Sequence, residues 1–91
     1  RNREFLNEQL RNKLPKAKYR IPNCSYLAWI DMSAYELGEN PTETILKRGR
    51  LALTPGYLFG AHCNQFVRLN FATSEEIIAD GIDRIVAALN N

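Results

Sequence analysis

The chain has 91 residues, 45% hydrophobic and 24% charged, with a formal net charge of +2 and a sequence pI near 8.7. That length holds one small domain, and the composition is that of a folded chain rather than a disordered one. Two cysteines, Cys24 and Cys63, do not make the disulfide framework of a small secreted domain, and with the single histidine, His62, they do not complete a zinc site.

No apolar run approaches the ~20 residues of a bilayer span, so no membrane association and a reducing, cytoplasmic setting are expected. The basic excess gathers in Arg11, Lys13, Lys16, Lys18 and Arg20, with Tyr19 the one aromatic among them. That suits a hydrated helix end and loop; a nucleic-acid surface interleaves stacking aromatics. The chain opens on Arg1-Asn2-Arg3 without an initiating methionine, already in helix-forming sequence, and is expected to be part of something longer.

In chain order, Phe5, Leu6, Leu10 and Leu14 recur at helical spacing, while Arg1, Arg3, Glu4, Glu8, Gln9 and Arg11 fill the other face. An amphipathic helix on the outside of the domain follows, stopped by Pro15. Residues 15–25, with Pro15, Pro22, Asn23 and Ser25, read as a connecting loop. The run YLAWID at 26–31 reads as a mostly buried strand, with Trp29 in the core and Asp31 at the strand end or in a turn.

A second helix starts at 40–43, where Asn40 caps, Pro41 takes the first turn and Glu43 stands at the capping-box position. Ile45 and Leu46 are expected to face inward, Lys47 and Arg48 to suit the negative end of the helix dipole, and Gly49 to stop the helix. Residues 51–54 (LALT) then read as a short strand broken by Pro55-Gly56. The stretch 57–65 carries Tyr57, Phe59, Gly60, His62 and Cys63, too apolar for a purely solvated loop, so it is expected to fold back on the domain. No orienting acid stands near His62 or Cys63 to make a nucleophilic pair, which leaves a surface histidine and an inert thiol.

The stretch 66–72 (FVRLNFA) alternates strictly: Val67, Leu69 and Phe71 on one face, Phe66, Arg68 and Asn70 on the other. The first face is apolar. The second holds a guanidinium on a strand, and a planar fork of donors matches a carboxylate or phosphate through two parallel bonds. The competing reading is an arginine whose stem covers apolar surface while its head meets water or an acidic neighbour. Finally, Thr73-Ser74-Glu75-Glu76 is a capping box. It opens a helix whose Ile78, Ile82, Ile85 and Leu89 form a stripe widened by Ile77 and Val86, with Asp80, Asp83 and Arg84 outward and Gly81 a weak point.

These elements give a mixed α/β (α+β) domain of order α-β-α-β-β-α, a small three-stranded sheet with helices packed on one face. The strand at 66–71 is placed in the centre, antiparallel to both others. Its open face, with Phe66, Arg68 and Asn70, is left for a partner.

Taken together, YLAWID at 26–31, LALTPG at 51–56, Phe59-Gly60 and FVRLNFA at 66–72 resemble the C-terminal small domain of fold-type I pyridoxal-phosphate enzymes of the class I/II aminotransferase superfamily, closest to the MalY/PatB cystathionine beta-lyase branch. The likeness spans essentially all of residues 1–91. It implies a two-domain, dimeric enzyme whose large domain, outside this chain, carries the pyridoxal 5'-phosphate and its Schiff-base lysine. It also implies that Arg68, in the Arg-Leu-Asn segment, binds the α-carboxylate of an amino-acid substrate, and that the loop 55–65 lies near the active-site mouth. A lyase and an aminotransferase need the same clamp, so Arg68 does not choose between them. No lysine here suits a Schiff base and no glycine-rich phosphate cradle is present, so the chain alone is expected to be inactive, with no catalytic or cofactor-binding residue of its own. The alternative is a free-standing α/β module that holds an acidic ligand or a nucleic acid on its sheet. RNA-binding sheets, however, display several stacking aromatics with glycines between them.

Overall fold

The computed structural model describes residues 2–21 and 26–90. Arg1, residues 22–25, which include part of the expected connecting loop, and Asn91 lie outside the described residues. The elements are α1 (Asn2–Lys13), β1 (Lys18–Arg20), β2 (Leu27–Asp31), α2 (Pro41–Gly49), β3 (Thr54–Pro55), β4 (Phe66–Asn70) and α3 (Glu75–Leu89), with short 3-10 turns at Ser33–Tyr35, Gly56–Phe59 and Ala61–Cys63.

Among the described residues the sheet has four strands, not three, in the order β1-β2-β4-β3, and every neighbouring pair is antiparallel. The mixed α/β class and the interior, doubly antiparallel placement of β4 match the sequence reading. The extra strand, β1, lies inside the stretch expected to be loop. It is three residues long, and only Tyr19 faces the core, opposite Ile30, while Lys18 and Arg20 are exposed. Such a short charged edge strand carries almost no alternation to detect, and its lysine and arginine discourage pairing with another chain.

The third expected strand is also displaced, to Thr54–Pro55. Leu51 and Leu53 pack against the core instead of extending the ladder, and the Leu51 side chain lies beside the bare backbone of Gly81 on α3. Gly49 does not end α2 by its own backbone. The left-handed residue is Arg50 (φ 55), whose N–H donates to the Leu46 carbonyl. Gly49 is buried where α2 crosses α3, and a Cβ there would run into the Arg84 carbonyl. Its role is close approach of two helices.

Asn40 caps α2 as the sequence indicates, whereas α3 is capped by Ser74, so that Ile77 and not Glu76 takes the third helical position. Asn40 Oδ1 accepts from the Glu43 N–H at 3.3 Å, and Ser74 Oγ accepts from the Ile77 N–H at 3.2 Å. The Lys47 ammonium, 2.8 Å from Glu43 and four residues on, holds that carboxyl below its ordinary value. Ile45 is fully buried, but Leu46 is exposed, because one helical step of 100° carries the next side chain off a narrow apolar stripe. Ile77 is exposed for the same reason on α3.

The core lies between one face of the sheet and the three helices. Ala28, Ile30, Val67, Leu69 and Phe71 meet Leu6, Leu10 and Leu14 of α1 and its end, Ile45 of α2, and Ile78, Ile82, Ile85 and Ala88 of α3. Each fully buried aliphatic contributes roughly 1.5–3 kcal/mol of transfer free energy. Asn2 pins the start of α1 to the turn after β4, its Nδ2 donating to the Phe71 and Thr73 carbonyls at 3.3 and 2.6 Å. Among the described residues no α-helix covers the opposite sheet face, and that is where Arg68 stands.

Candidate carboxylate-binding site

Register builds the surroundings of Arg68. In antiparallel pairs, residues directly opposite share a face, and Arg68 stands opposite Trp29 on β2 and Thr54 on β3. Trp29 is therefore half-buried on the open face and not in the core, as its bulk had suggested. The signal was present: alternation sends Trp29 to the same face as the charged Asp31, leaving Ala28 and Ile30 to the core. Asp31 takes a turn role, accepting from the Ser33 N–H at 3.0 Å, and Asn70 does the same, accepting from the Ala72 N–H at 2.9 Å.

The third neighbour comes from the loop before β4. The turns at Gly56–Phe59 and Ala61–Cys63 fold back onto the sheet as expected, and Phe59 meets Trp29 edge-on, ring centroids 5.0 Å apart at 85°. The Arg68 Cζ lies 5.3 Å from the Phe59 centroid and 5.9 Å from that of Trp29, within range of cation–π attraction to both. Arg68 Nη2 donates to Thr54 Oγ1 at 3.4 Å, the long end of hydrogen bonding. Among the described residues, no carboxylate pairs with Arg68. A guanidinium has five N–H donors. Half-buried beside two rings and with one weak acceptor, this one offers a fork with room for an anion.

The rest of the open face has the same sign. Lys18 and Arg20 on β1 join Arg68, against Asp31 alone. Beside Arg68 an apolar hollow of about 370 Å³ is lined by Arg20, Trp29, Phe59, Cys63 and Phe66. A groove of about 400 Å³ runs along the other side, between residues 51–54 and the start of α3, with Arg68 and Asn70 in its wall. His62 is exposed, and Cys63 is a half-buried thiol in the hollow. Among the described residues no three of His, Cys, Asp and Glu come together as a metal site would require, and no helix is long and apolar enough to cross a membrane. Sequence reasoning singled out Arg68 as a candidate but not Trp29, Thr54 and Phe59 as its neighbours.

Comparison with known proteins shows what this chain is similar to. The chain belongs to the fold-type I pyridoxal-phosphate enzymes of the class I/II aminotransferase superfamily. Its relatives include the MalY/PatB cystathionine beta-lyases: it is 42% identical over 82 residues to cystathionine beta-lyase PatB of Bacillus subtilis, a match covering 89% of this chain and 21% of that enzyme. It is also 37% identical over 93 residues to an Aquifex aeolicus protein described as an aspartate/prephenate aminotransferase, covering 98% and 23% of the two. Among solved structures, one described as a pyridoxal-phosphate-dependent beta-cystathionase from Corynebacterium diphtheriae superimposes with a TM-score of 0.89 at 33% identity, over 99% of this chain and 24% of that one. No protein-family model matches the chain. The chain spans 21% to 26% of the length of the curated relatives it matches first.

Lys16, Lys18 and Lys47 are exposed, and Lys13 pairs with Asp83 at 2.6 Å, so none is a sheltered amine. What the described residues offer instead is a half-buried guanidinium on an interior strand.

Proposed function

We propose that residues 1–91 are the C-terminal small domain of a longer, homodimeric pyridoxal-phosphate enzyme, either a carbon–sulfur lyase of the cystathionine beta-lyase type or an aminotransferase. In that enzyme Arg68 receives the α-carboxylate of the amino-acid substrate. The observation that carries the reading is the state of Arg68: half-buried, braced by Trp29 and Phe59, and without an acidic partner among the described residues. An arginine kept for stability alone would face water or a carboxylate. The kinship with cystathionine beta-lyases and aminotransferases supports the choice of ligand, because both act on amino acids.

The work of these residues is binding and orientation. Two parallel hydrogen bonds from one guanidinium fix the plane of a carboxylate and with it the direction of the neighbouring Cα, which converts a loose encounter into a positioned one. β4, hydrogen-bonded on both sides, is a stiff mount for that clamp. The chain by itself is inert on this reading: mixed with pyridoxal phosphate and cystathionine, it releases no pyruvate.

The test is steady-state kinetics of the full-length protein with one amino-acid substrate. Arg68→Ala lowers kcat/KM by about 2–5 kcal/mol of transition-state stabilisation, the cost of removing one side of a desolvated charge pair. Arg68→Lys keeps the charge but loses the two-pronged geometry and does not restore activity. The neutral comparison is Arg11→Ala, on the exposed side of α1. Arg84 is unsuitable as a control, because its guanidinium holds Asp80 at 2.8 Å and donates to the Gly49 and Arg50 carbonyls that close α2. Near-normal efficiency in folded Arg68→Ala would overturn the proposal.

A further inference from the structure

We propose that Trp29 and Phe59 are positioning residues for Arg68: together they form an aromatic corner that holds the guanidinium in a carboxylate-ready orientation before any ligand arrives. The inference rests on the reading of Arg68 as the carboxylate site and adds the device that makes a long, flexible side chain selective.

The corner has two walls of independent origin. One is Trp29, set opposite Arg68 by the β2–β4 register. The other is Phe59, delivered by the loop, and that loop is tightly constrained. Gly56 is buried where a Cβ would run into the carbonyl oxygens of Cys63 and Phe66. Gly60, at φ 135, has a backbone shape that side-chain-bearing residues rarely adopt, and a Cβ there would press on the His62 ring at 2.8 Å. The Gly60 N–H donates to the Tyr57 carbonyl at 3.3 Å and the Cys63 N–H to the Gly60 carbonyl at 3.0 Å, closing one turn around Phe59 and a second directly after it.

Burial does not explain the position of Phe59. It remains 49% exposed, beside Tyr57 at 49% and Leu58 at 63%, so half of its surface still meets water there. Its specific contacts are the edge of Trp29 and the Arg68 cation. With the rings nearly perpendicular, the two sides of the corner constrain the guanidinium in different directions, and Thr54 Oγ1 ties one Nη from the β3 side. The remaining donors are left for two carboxylate oxygens. A ligand that meets a pre-ordered fork does not have to order it, which raises affinity for the one group that fits.

The test is isothermal titration calorimetry on the full-length protein with two probes, L-methionine and its α-carboxamide, which differ in the negative charge and the second oxygen. The change in the ratio of their affinities from parent to variant reads the guanidinium–carboxylate interaction, because the other differences between the two probes cancel. Phe59→Leu and Trp29→Leu each lower that ratio about fivefold, the size of one cation–π contact, and Trp29→Phe keeps most of it. Tyr57→Ala, in the same turn but outside the corner, leaves the ratio unchanged. A folded Phe59→Leu with the wild-type ratio, or with acid and amide weakened in parallel, overturns the inference, because parallel weakening is what a merely structural or steric role produces. Arg68→Ala separates the two levels. If it leaves the ratio unchanged, the carboxylate reading fails and the corner with it; if it collapses the ratio while Phe59→Leu does not, the corner alone fails.

Discussion

The two faces of the sheet are made by the same four strands and follow opposite rules. The covered face carries Ala28, Ile30, Val67, Leu69 and Phe71, all buried, and closes on three helices. The open face carries Trp29, Thr54, Phe66 and Arg68, all half-buried, with Lys18 and Arg20 at its edge. One-residue alternation is the whole difference, and it separates the residues that hold the domain together from those available for chemistry. The arginine thereby stands on the back of a strand that is hydrogen-bonded on both sides.

The largest expected effect on stability is therefore on the covered face. Phe71→Ala removes a ring that is 1% exposed and meets Tyr26 edge-on at 5.7 Å, and costs about 3–5 kcal/mol in denaturant unfolding. Trp29→Leu on the open face costs much less, although tryptophan is the larger residue. Equal losses would mean that the open face is core after all.

Next in size is the helix crossing that backs the covered face. Gly49→Ala places a methyl group against the Arg84 carbonyl, and rigid backbone on both sides makes the clash hard to relieve. A loss of about 1–3 kcal/mol in the same unfolding measurement is expected. If the variant is instead as stable as the parent, helix propensity outweighs the close approach, and α2 does not press on α3 as described.

The smallest effect lies on the exposed side of α2, remote from both faces. Lys47 lowers the Glu43 pKa in the folded state. A carboxyl so lowered adds stability that is fully present above its unfolded value and is lost as pH falls through the folded one. Both groups are well exposed, so the loss is small and screened by salt. Comparing acid titrations of stability for the parent and Lys47→Ala checks it: the variant shows a weaker dependence across the acidic carboxylate range.

How much of this was legible in the sequence depends on how local each signal was. The cap at Asn40 involves residues within one turn, and the alternation at 66–71 lies within one strand; both were readable and both match the structure. What could not be read required knowing a neighbour. β1 is a strand only because β2 pairs with it, and β3 is shifted because Leu51 finds Gly81 on a distant helix. Likewise Gly49 signalled a helix stop by composition, while its actual reason is another helix. Arg68 was visible as an anomaly on an apolar strand. Its aromatic corner was not, because Phe59 reaches it through a loop whose path no periodicity records.

The central claim is that the open face exists to present Arg68 to a carboxylate. Its most direct test is nitrogen NMR of the arginine side chains in the full-length protein, with the Arg68 signal assigned by its loss in Arg68→Lys. On adding an amino-acid ligand, the Arg68 Nη resonances should shift and their exchange with water should slow, as two parallel hydrogen bonds form; the α-carboxamide of the same ligand should leave them unchanged. Perturbation confined to Arg20 or another arginine, or an Arg68 signal that responds to neither compound, would contradict the account.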